Sequence, residues 1–161
     1  MTKIYNLDTS DAPELHGMKK FYDVTKAVGI PIAPGDPTNP ANEHLDVLLI
    51  QYLLEKYYEG AKFRPAGKLL LDGVFGPLTH YWMLFFYVEM EWADETSMFQ
   101  EAGNIVSWGR NGEGLFNNDM KTALIGLLNY GVFTRHRDMF NELPIKDPKF
   151  PPALRHRFTH R

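Results

Sequence analysis

Apolar residues recur at helical spacing in three parts of the chain. The first part, residues 42–58, has an apolar face at Val47, Ile50, Leu53 and Leu54, and the residues Thr-Asn-Pro at 38–40 read as a cap and first-turn proline. The other two helices are predicted over about 77–91 and 118–130. Pro77 suits the first helical position of the second helix. Gly131 suits the C-terminal end of the third.

The rest of the chain is less regular. Residues 1–37 read as loop-rich, with room for one short helix over 13–27, and end in a Pro/Gly-dense run that is expected to lie extended on the surface. From Pro144 onward prolines interrupt any long helix. The sequence therefore predicts an N-terminal segment (1–37), a helical core (38–92) and a helical extension (93–161) packed on that core.

A turn motif connects the first two helices. The Asp72 carboxylate can accept a backbone N–H two residues on, and Gly73 can take a positive φ without a Cβ clash. Phe75 is expected to be buried in the core. Gly76 is expected to occupy a conformation or a close backbone contact that excludes a Cβ, just before Pro77 starts the helix.

The order D-V-x-x-I-Q-x-L-L, a loop, and D-G-x-F-G-P-x-T resembles the peptidoglycan-binding-like domains, small three-helix modules that accompany many cell-wall hydrolases. The resemblance covers roughly residues 28–92 and departs at Trp82, Met83 and Tyr87, where the family has Ala, Val and Gln. It implies a mainly α fold, a three-helix bundle enlarged by a C-terminal helical and irregular extension. The matching residues, expected to be mainly structural, are Asp46, Val47, Ile50, Gln51, Leu53, Leu54, Asp72, Gly73, Phe75, Gly76, Pro77, Thr79 and Phe86.

The resemblance also implies a glycan or peptide groove near the two motif helices. Tyr52, Tyr57 and Tyr58 could stack on sugar rings there and donate hydroxyl hydrogen bonds. The same tyrosines could equally be core residues. No cofactor is expected.

The second predicted helix is apolar around its whole circumference, with only Thr79, His80, Glu89 and Glu91 as polar positions. A helix of this kind is normally buried on all sides. Residues 93–161 or a partner chain should therefore cover its outer face, so it is either the core helix of one enlarged domain, an assembly interface, or a lipid or cofactor groove. The interface candidates are Tyr81, Trp82, Phe85 and Trp92.

Composition sets limits on the function. The 161 residues include 44% hydrophobic and 14% aromatic residues, no cysteine, and a net charge of −3. Such a chain can form a compact core, has no thiol chemistry, and gives no general reason to expect a nucleic-acid partner. After residue 130, seven Lys/Arg stand against three Asp/Glu. This basic tail could dock on an acidic neighbour, an anionic wall polymer or a phosphate backbone. Equally, it could dock on the acidic N-terminal part of its own chain or be a solvated charge that favours solubility.

The N-terminus lacks the apolar run of a signal peptide, and no window is long enough to span a membrane. We therefore expect cytoplasmic synthesis and no membrane insertion. Action at a cell wall would need another delivery route, such as phage lysis or a tail-like particle.

Little in the sequence indicates catalysis. Glu89 and Glu91 have apolar neighbours, but two residues apart on a helix they face different ways. His156 and His160 lack a nearby third ligand, so no metal site is expected. Two functions remain: a non-catalytic module that binds peptidoglycan or a related wall polymer, which the motif narrowly favours, and a structural or interaction protein that reuses the fold in a larger assembly with other subunits.

Overall fold

The computed structural model describes residues 2–9, 13–37, 39–94, 104–105, 114–115 and 124–159. The fold is mainly helical, as predicted. Within these ranges the helices are α1 (His44–Tyr58), α2 (Pro77–Asp94), α3 (Leu124–Arg135), α4 (Leu143–Lys146) and α5 (Pro152–Thr159), with 3-10 turns at Pro13–Leu15 and Phe140–Glu142 and strands β1 (Lys3–Asp8), β2 (Lys20–Asp23) and β3 (Gly114–Leu115).

Helix α1 is the central element. Twelve of its 15 residues are buried, and α2, α3 and α5 all contact it. The expected start signal is not used: the helix begins at His44 after an N-cap, Glu43, that makes no side-chain cap hydrogen bond, whereas Asn39 binds the backbone of Ile32 and Ala33. The sequence predicted that the second helix would be buried on all sides. In the structure it is the first helix, α1, that is buried in this way.

The N-terminal segment forms a small sheet. Strand β1 pairs antiparallel with β2, with Tyr5 opposite Phe21, and parallel with β3, with Leu7 opposite Gly114. The helix expected over 13–27 is therefore wrong apart from one 3-10 turn. Aromatic residues favour a half-buried pleated surface, and Phe21 and Tyr22 are fully buried there.

Helix α3 continues past the residue that was expected to end it. Gly131 lies inside the helix, which runs to Arg135. A Cβ at Gly131 would lie 2.5 Å from Cε2 of Tyr57. Its role is to let α1 and α3 approach closely, and the prediction of a C-terminal stop is wrong. Residues 118–123 of the predicted helix lie outside the described ranges.

Arg155 joins the parts of the C-terminal segment to one another. Its guanidinium donates hydrogen bonds to the carbonyl oxygens of Pro144 and Asp147, both at 2.8 Å, and of Phe150 at 3.1 Å. Part of the basic tail thus binds its own chain. The neighbouring His156 is exposed, and His160 is not among the described residues.

One cluster of buried apolar side chains includes residues from the sheet, from α1 and α2, and from the C-terminal helices, with Phe21, Leu53, Trp82, Leu128 and Phe150 as examples. Of the helices in the described ranges, none has the length and apolar content needed to cross a membrane.

Candidate functional site

Gln51 of α1 organises the turn motif. Its Nε2 carries two N–H donors and lies within hydrogen-bond distance of three acceptors: Asp72 Oδ1 at 3.1 Å, the carbonyl oxygen of Val74 at 3.2 Å and Thr79 Oγ1 at 3.0 Å. Its Oε1 accepts from the Gly73 N–H at 2.8 Å. Gln51 is 1% exposed, so its buried amide is fully hydrogen-bonded, as buried polar groups generally are. The polar motif residues bind one another and serve the fold.

The turn itself depends on Gly73. Its φ is +72°, and a Cβ there would overlap the His44 ring and lie 2.8 Å from the His44 carbonyl oxygen. The N–H of Val74 and the amide of Gln51 bind Asp72 and hold the pKa of its carboxyl below the usual range. Gly76 has no positive φ and open space where a Cβ would stand. The expectation that Gly76 excludes a side chain is therefore wrong, since Gly73 has that role.

The remaining motif residues also have structural positions. Phe75 is partly buried against the core, and Pro77 is the first residue of α2. Asp46 is 1% exposed, and its two carboxylate oxygens accept the backbone N–H groups of Thr25 and Lys26, each at 3.0 Å. Asp46 thus fixes the start of α1 to the loop after β2.

The three candidate ligand tyrosines are core residues. Tyr52, Tyr57 and Tyr58 are 2%, 6% and 0% exposed. The Tyr52 ring packs edge-on against Phe150 at 4.8 Å between centroids, and the Tyr58 ring against Trp82 at 5.8 Å. Their predicted role as stacking surfaces for sugar rings is wrong, because neighbouring side chains already cover the rings.

The outer side of α2 carries an apolar groove of about 600 Å³, here called the α2 groove. Of its lining residues, Phe63 is 76% exposed, Val88 47% and Tyr81 42%. The described residues that line it are Phe63, Tyr81, Leu84, Phe85, Val88 and Glu89.

Two of the four interface candidates, Tyr81 and Phe85, line this groove. Trp82 is fully buried, so its assignment to an interface is wrong. The Trp92 side chain lies outside the described residues. The C-terminal helices contact α1 and β2, and Phe63, Tyr81 and Val88 of the groove stay exposed, so the expectation that the extension covers this face fails for its described part.

A carboxylate held by two tyrosines stands at the groove. The Tyr57 hydroxyl donates to Glu89 Oε1 at 3.5 Å, and the Tyr58 hydroxyl donates to Glu89 Oε2. Burial, followed by the interaction with Glu89, raises the pKa of both tyrosines. The Arg135 guanidinium lies 4.0 Å from the centre of the Tyr57 ring and donates to the Tyr57 carbonyl oxygen. Tyr57 and Tyr58 therefore stay protonated and act as donors.

The sequence analysis named Glu89 as one of two acids with apolar neighbours and the two tyrosines as ligand candidates, but it did not pair them. These lie 31 and 32 residues earlier in the chain. Only packing of α1 on α2 brings them to the carboxylate. The one feature of the sequence that could have indicated this cluster is an acidic residue, Glu89, at the end of an apolar run.

A second concave surface lies between the sheet and the C-terminal helices, with a volume of about 290 Å³. Its polar groups are largely engaged: Lys20 Nζ donates to Asn6 at 2.5 Å, and Glu142 pairs with Lys146 at 2.9 Å. No pattern in the sequence indicates this site.

Comparisons with protein-family models, curated proteins and solved structures found no match for this chain. The geometry of the described residues must therefore carry the functional argument. These residues include no group of three His, Asp or Glu side chains placed to hold a metal ion. The Glu91 side chain, the other acid considered for catalysis, falls outside them.

Proposed function

We propose that this chain is a non-catalytic interaction protein that binds a partner protein through the α2 groove. The observation that supports the proposal is the exposure of three large apolar side chains, Phe63, Tyr81 and Val88, around one concave surface. Covering apolar surface is favourable by about 25 cal/mol per Å². Contiguous apolar patches on a folded chain commonly mark interaction sites.

The chemistry of the lining favours a protein over a sugar. Saccharide recognition needs several directed polar groups beside an aromatic ring. The groove offers the Glu89 carboxylate and the Tyr81 hydroxyl, which already accepts the Ala66 N–H at 3.4 Å. Apolar side chains of a partner match such a lining better.

The experiment is affinity capture from extracts of the native host cell, using wild type, Val88→Asp and Ile32→Asp as baits. Ile32 is a matched control because it is β-branched and 48% exposed, against 47% for Val88, but lies outside the groove. We expect one partner to be retained by wild type and Ile32→Asp and lost with Val88→Asp. Equal retention by all three baits, or capture of no partner, would contradict the proposal. Unfolding curves of the baits establish that each is folded.

Binding to peptidoglycan is the second candidate function. It requires that α1, the motif loop and α2 belong to a peptidoglycan-binding-like three-helix bundle. The observation in its favour is the Gln51-centred loop, in which the D-G-x-F-G-P-x-T residues act together. Because Tyr57 and Tyr58 are buried, the sugar-stacking residues would be Phe63 and Tyr81. Sedimentation with purified sacculi that is lost in Phe63→Ala and kept in Ile32→Ala would support wall binding, and no sedimentation at low salt would reject it.

A further inference from the structure

Among the described residues that line the α2 groove, Glu89 is the one acidic side chain. Its two oxygens accept the hydroxyls of Tyr57 and Tyr58. An ionised carboxylate can accept about four hydrogen bonds, so acceptor positions remain. The tyrosines also restrict the side chain, and the carboxylate is therefore already oriented at the groove before any partner binds.

No lysine, arginine or histidine of the described residues lies within ion-pair distance of Glu89, whereas Glu43, Glu55, Glu59 and Glu142 each have a basic partner. The nearest basic group in this cluster, Arg135, is committed to the ring and carbonyl of Tyr57. A partner that covered the apolar lining would also remove water from this carboxylate. Burying an unpaired charge is costly unless the partner supplies the opposite charge.

The spacing of the lining residues defines the shape of the partner. Tyr81, Leu84 or Phe85, and Val88 are at positions i, i+3 or i+4, and i+7 of α2. Such a row extends about 10 Å along a helix, and the loop residue Phe63 adds a further apolar side chain to the lining. This is the type of groove that accepts the apolar face of an amphipathic helix.

We propose that the α2 groove binds an amphipathic helical segment of a partner protein, and that a lysine or arginine of this segment pairs with Glu89 beside its apolar anchors. The inference rests on the proposed function of the groove. It adds the identity of the occupant by its chemistry: apolar side chains at i, i+3 or i+4 and i+7, with a basic side chain next to the anchor at one end of this row, the end that lies over Val88 and Glu89.

The test is selection from a displayed library of helical peptides with apolar residues fixed at i, i+4 and i+7 and all other surface positions randomised. The targets are wild type, Glu89→Gln and Val88→Asp, with Glu43→Gln as the control for loss of one negative charge elsewhere. Glu89→Gln keeps an oxygen for the tyrosine hydroxyls, so folding should be preserved. Selected peptides are then synthesised, and their affinities are measured by fluorescence anisotropy at low and physiological salt.

We expect lysine or arginine to be enriched beside either the first or the last apolar position with wild type and Glu43→Gln, and this enrichment to disappear with Glu89→Gln. A selected basic peptide should bind Glu89→Gln about tenfold more weakly than wild type, with a smaller salt dependence, and should not bind Val88→Asp.

Peptides that need Val88 but bind Glu89→Gln as tightly as wild type would overturn the ion pair and leave the groove function intact. Selection of no groove-dependent peptide, while the native partner is still captured, would overturn the helical occupant alone. Loss of both would reject the proposed function as well. A wild-type dimer that Val88→Asp converts to monomer in light scattering would show that a second copy fills the groove, and would also overturn the inference.

Discussion

The side chain of Asn129 in α3 hydrogen-bonds to both backbone groups of Tyr22 in β2. Its Oδ1 accepts the Tyr22 N–H at 2.8 Å, and its Nδ2 donates to the Tyr22 carbonyl oxygen at 2.9 Å and to the Ile125 carbonyl oxygen at 2.8 Å. Strand β2 is at the edge of the sheet in the order β2-β1-β3. The amide of Asn129 therefore takes the place of a neighbouring strand and joins the N-terminal sheet to the C-terminal helices.

Replacing Asn129 by alanine should destabilise the fold by about 2–4 kcal/mol, because it leaves both backbone groups of Tyr22 buried without partners. Asn129→Asp should cost at least as much, since the carboxylate would face the carbonyl oxygens of Tyr22 and Ile125. Denaturant unfolding measures both effects. A loss below about 1 kcal/mol in Asn129→Ala would mean that water replaces the amide.

The two glycines of the turn motif should respond differently to alanine. Gly73→Ala should cost roughly 2–4 kcal/mol, because the residue has a positive φ and its new Cβ would overlap His44. Gly76→Ala should change the unfolding free energy by less than about 0.5 kcal/mol, since open space surrounds that position. Equal destabilisation by the two variants would contradict this assignment of the turn. Thermal or urea unfolding of the pair is the measurement.

Gly131→Ala tests the close approach of α1 and α3. Alanine inside a helix is normally favoured over glycine by about 1 kcal/mol. Here the Cβ would lie 2.5 Å from the Tyr57 ring, which is also fixed by Arg135 on its face. Overpacking costs about 1–3 kcal/mol, so after the helix-propensity gain we expect a net loss of roughly 0–2 kcal/mol. A gain in stability would show that the ring moves aside at little cost.

Local signals in the sequence predicted α1 and α2 well, because apolar periodicity and Pro77 act over one or two turns. The strand at β2 was missed, since Phe21 and Tyr22 are held by a strand near residue 5 and by Asn129, which lies 107 positions away. The same limit affected the candidate site. Whether Tyr52 faces solvent depends on Phe150, and a pattern within one helix does not contain that information.

The exposed groove shows a further limit of periodicity. The apolar circumference of α2 indicated that something should cover its outer face, and this physical expectation remains sound. The pattern did not say which of the aromatic residues face inward, and Trp82 and Phe85 were treated alike. Both rings pack edge-on against Tyr58, but Trp82 is fully buried, whereas Phe85 is only partly buried and lines the groove.

A buried ion pair links α1 to the C-terminal segment and makes the stability depend on pH. Asp147 is 2% exposed and accepts the Tyr52 hydroxyl at 2.6 Å and the Lys149 N–H at 3.0 Å. Lys56 Nζ, on a side chain that is 5% exposed, lies 3.2 Å from the same carboxylate. Burial alone would raise the pKa of Asp147, but these hydrogen bonds and the Lys56 charge outweigh it, so the pKa lies below its ordinary value.

Asp147→Asn should therefore cost about 3 kcal/mol at neutral pH, the lower end for breaking a buried pair, because Glu59 stays 3.4 Å from Lys56. A carboxyl group with a lowered folded-state pKa stabilises the protein above its unfolded pKa of about 3.9 and loses that contribution as the pH falls through the folded value. The difference in unfolding free energy between wild type and Asp147→Asn should hold constant from about pH 7 to about pH 5 and shrink below about pH 4. Urea unfolding across this range measures it, with the exposed Glu142→Gln as a control. A difference that does not change with pH would show that the loss in Asp147→Asn arises from packing and hydrogen-bond geometry rather than from charge.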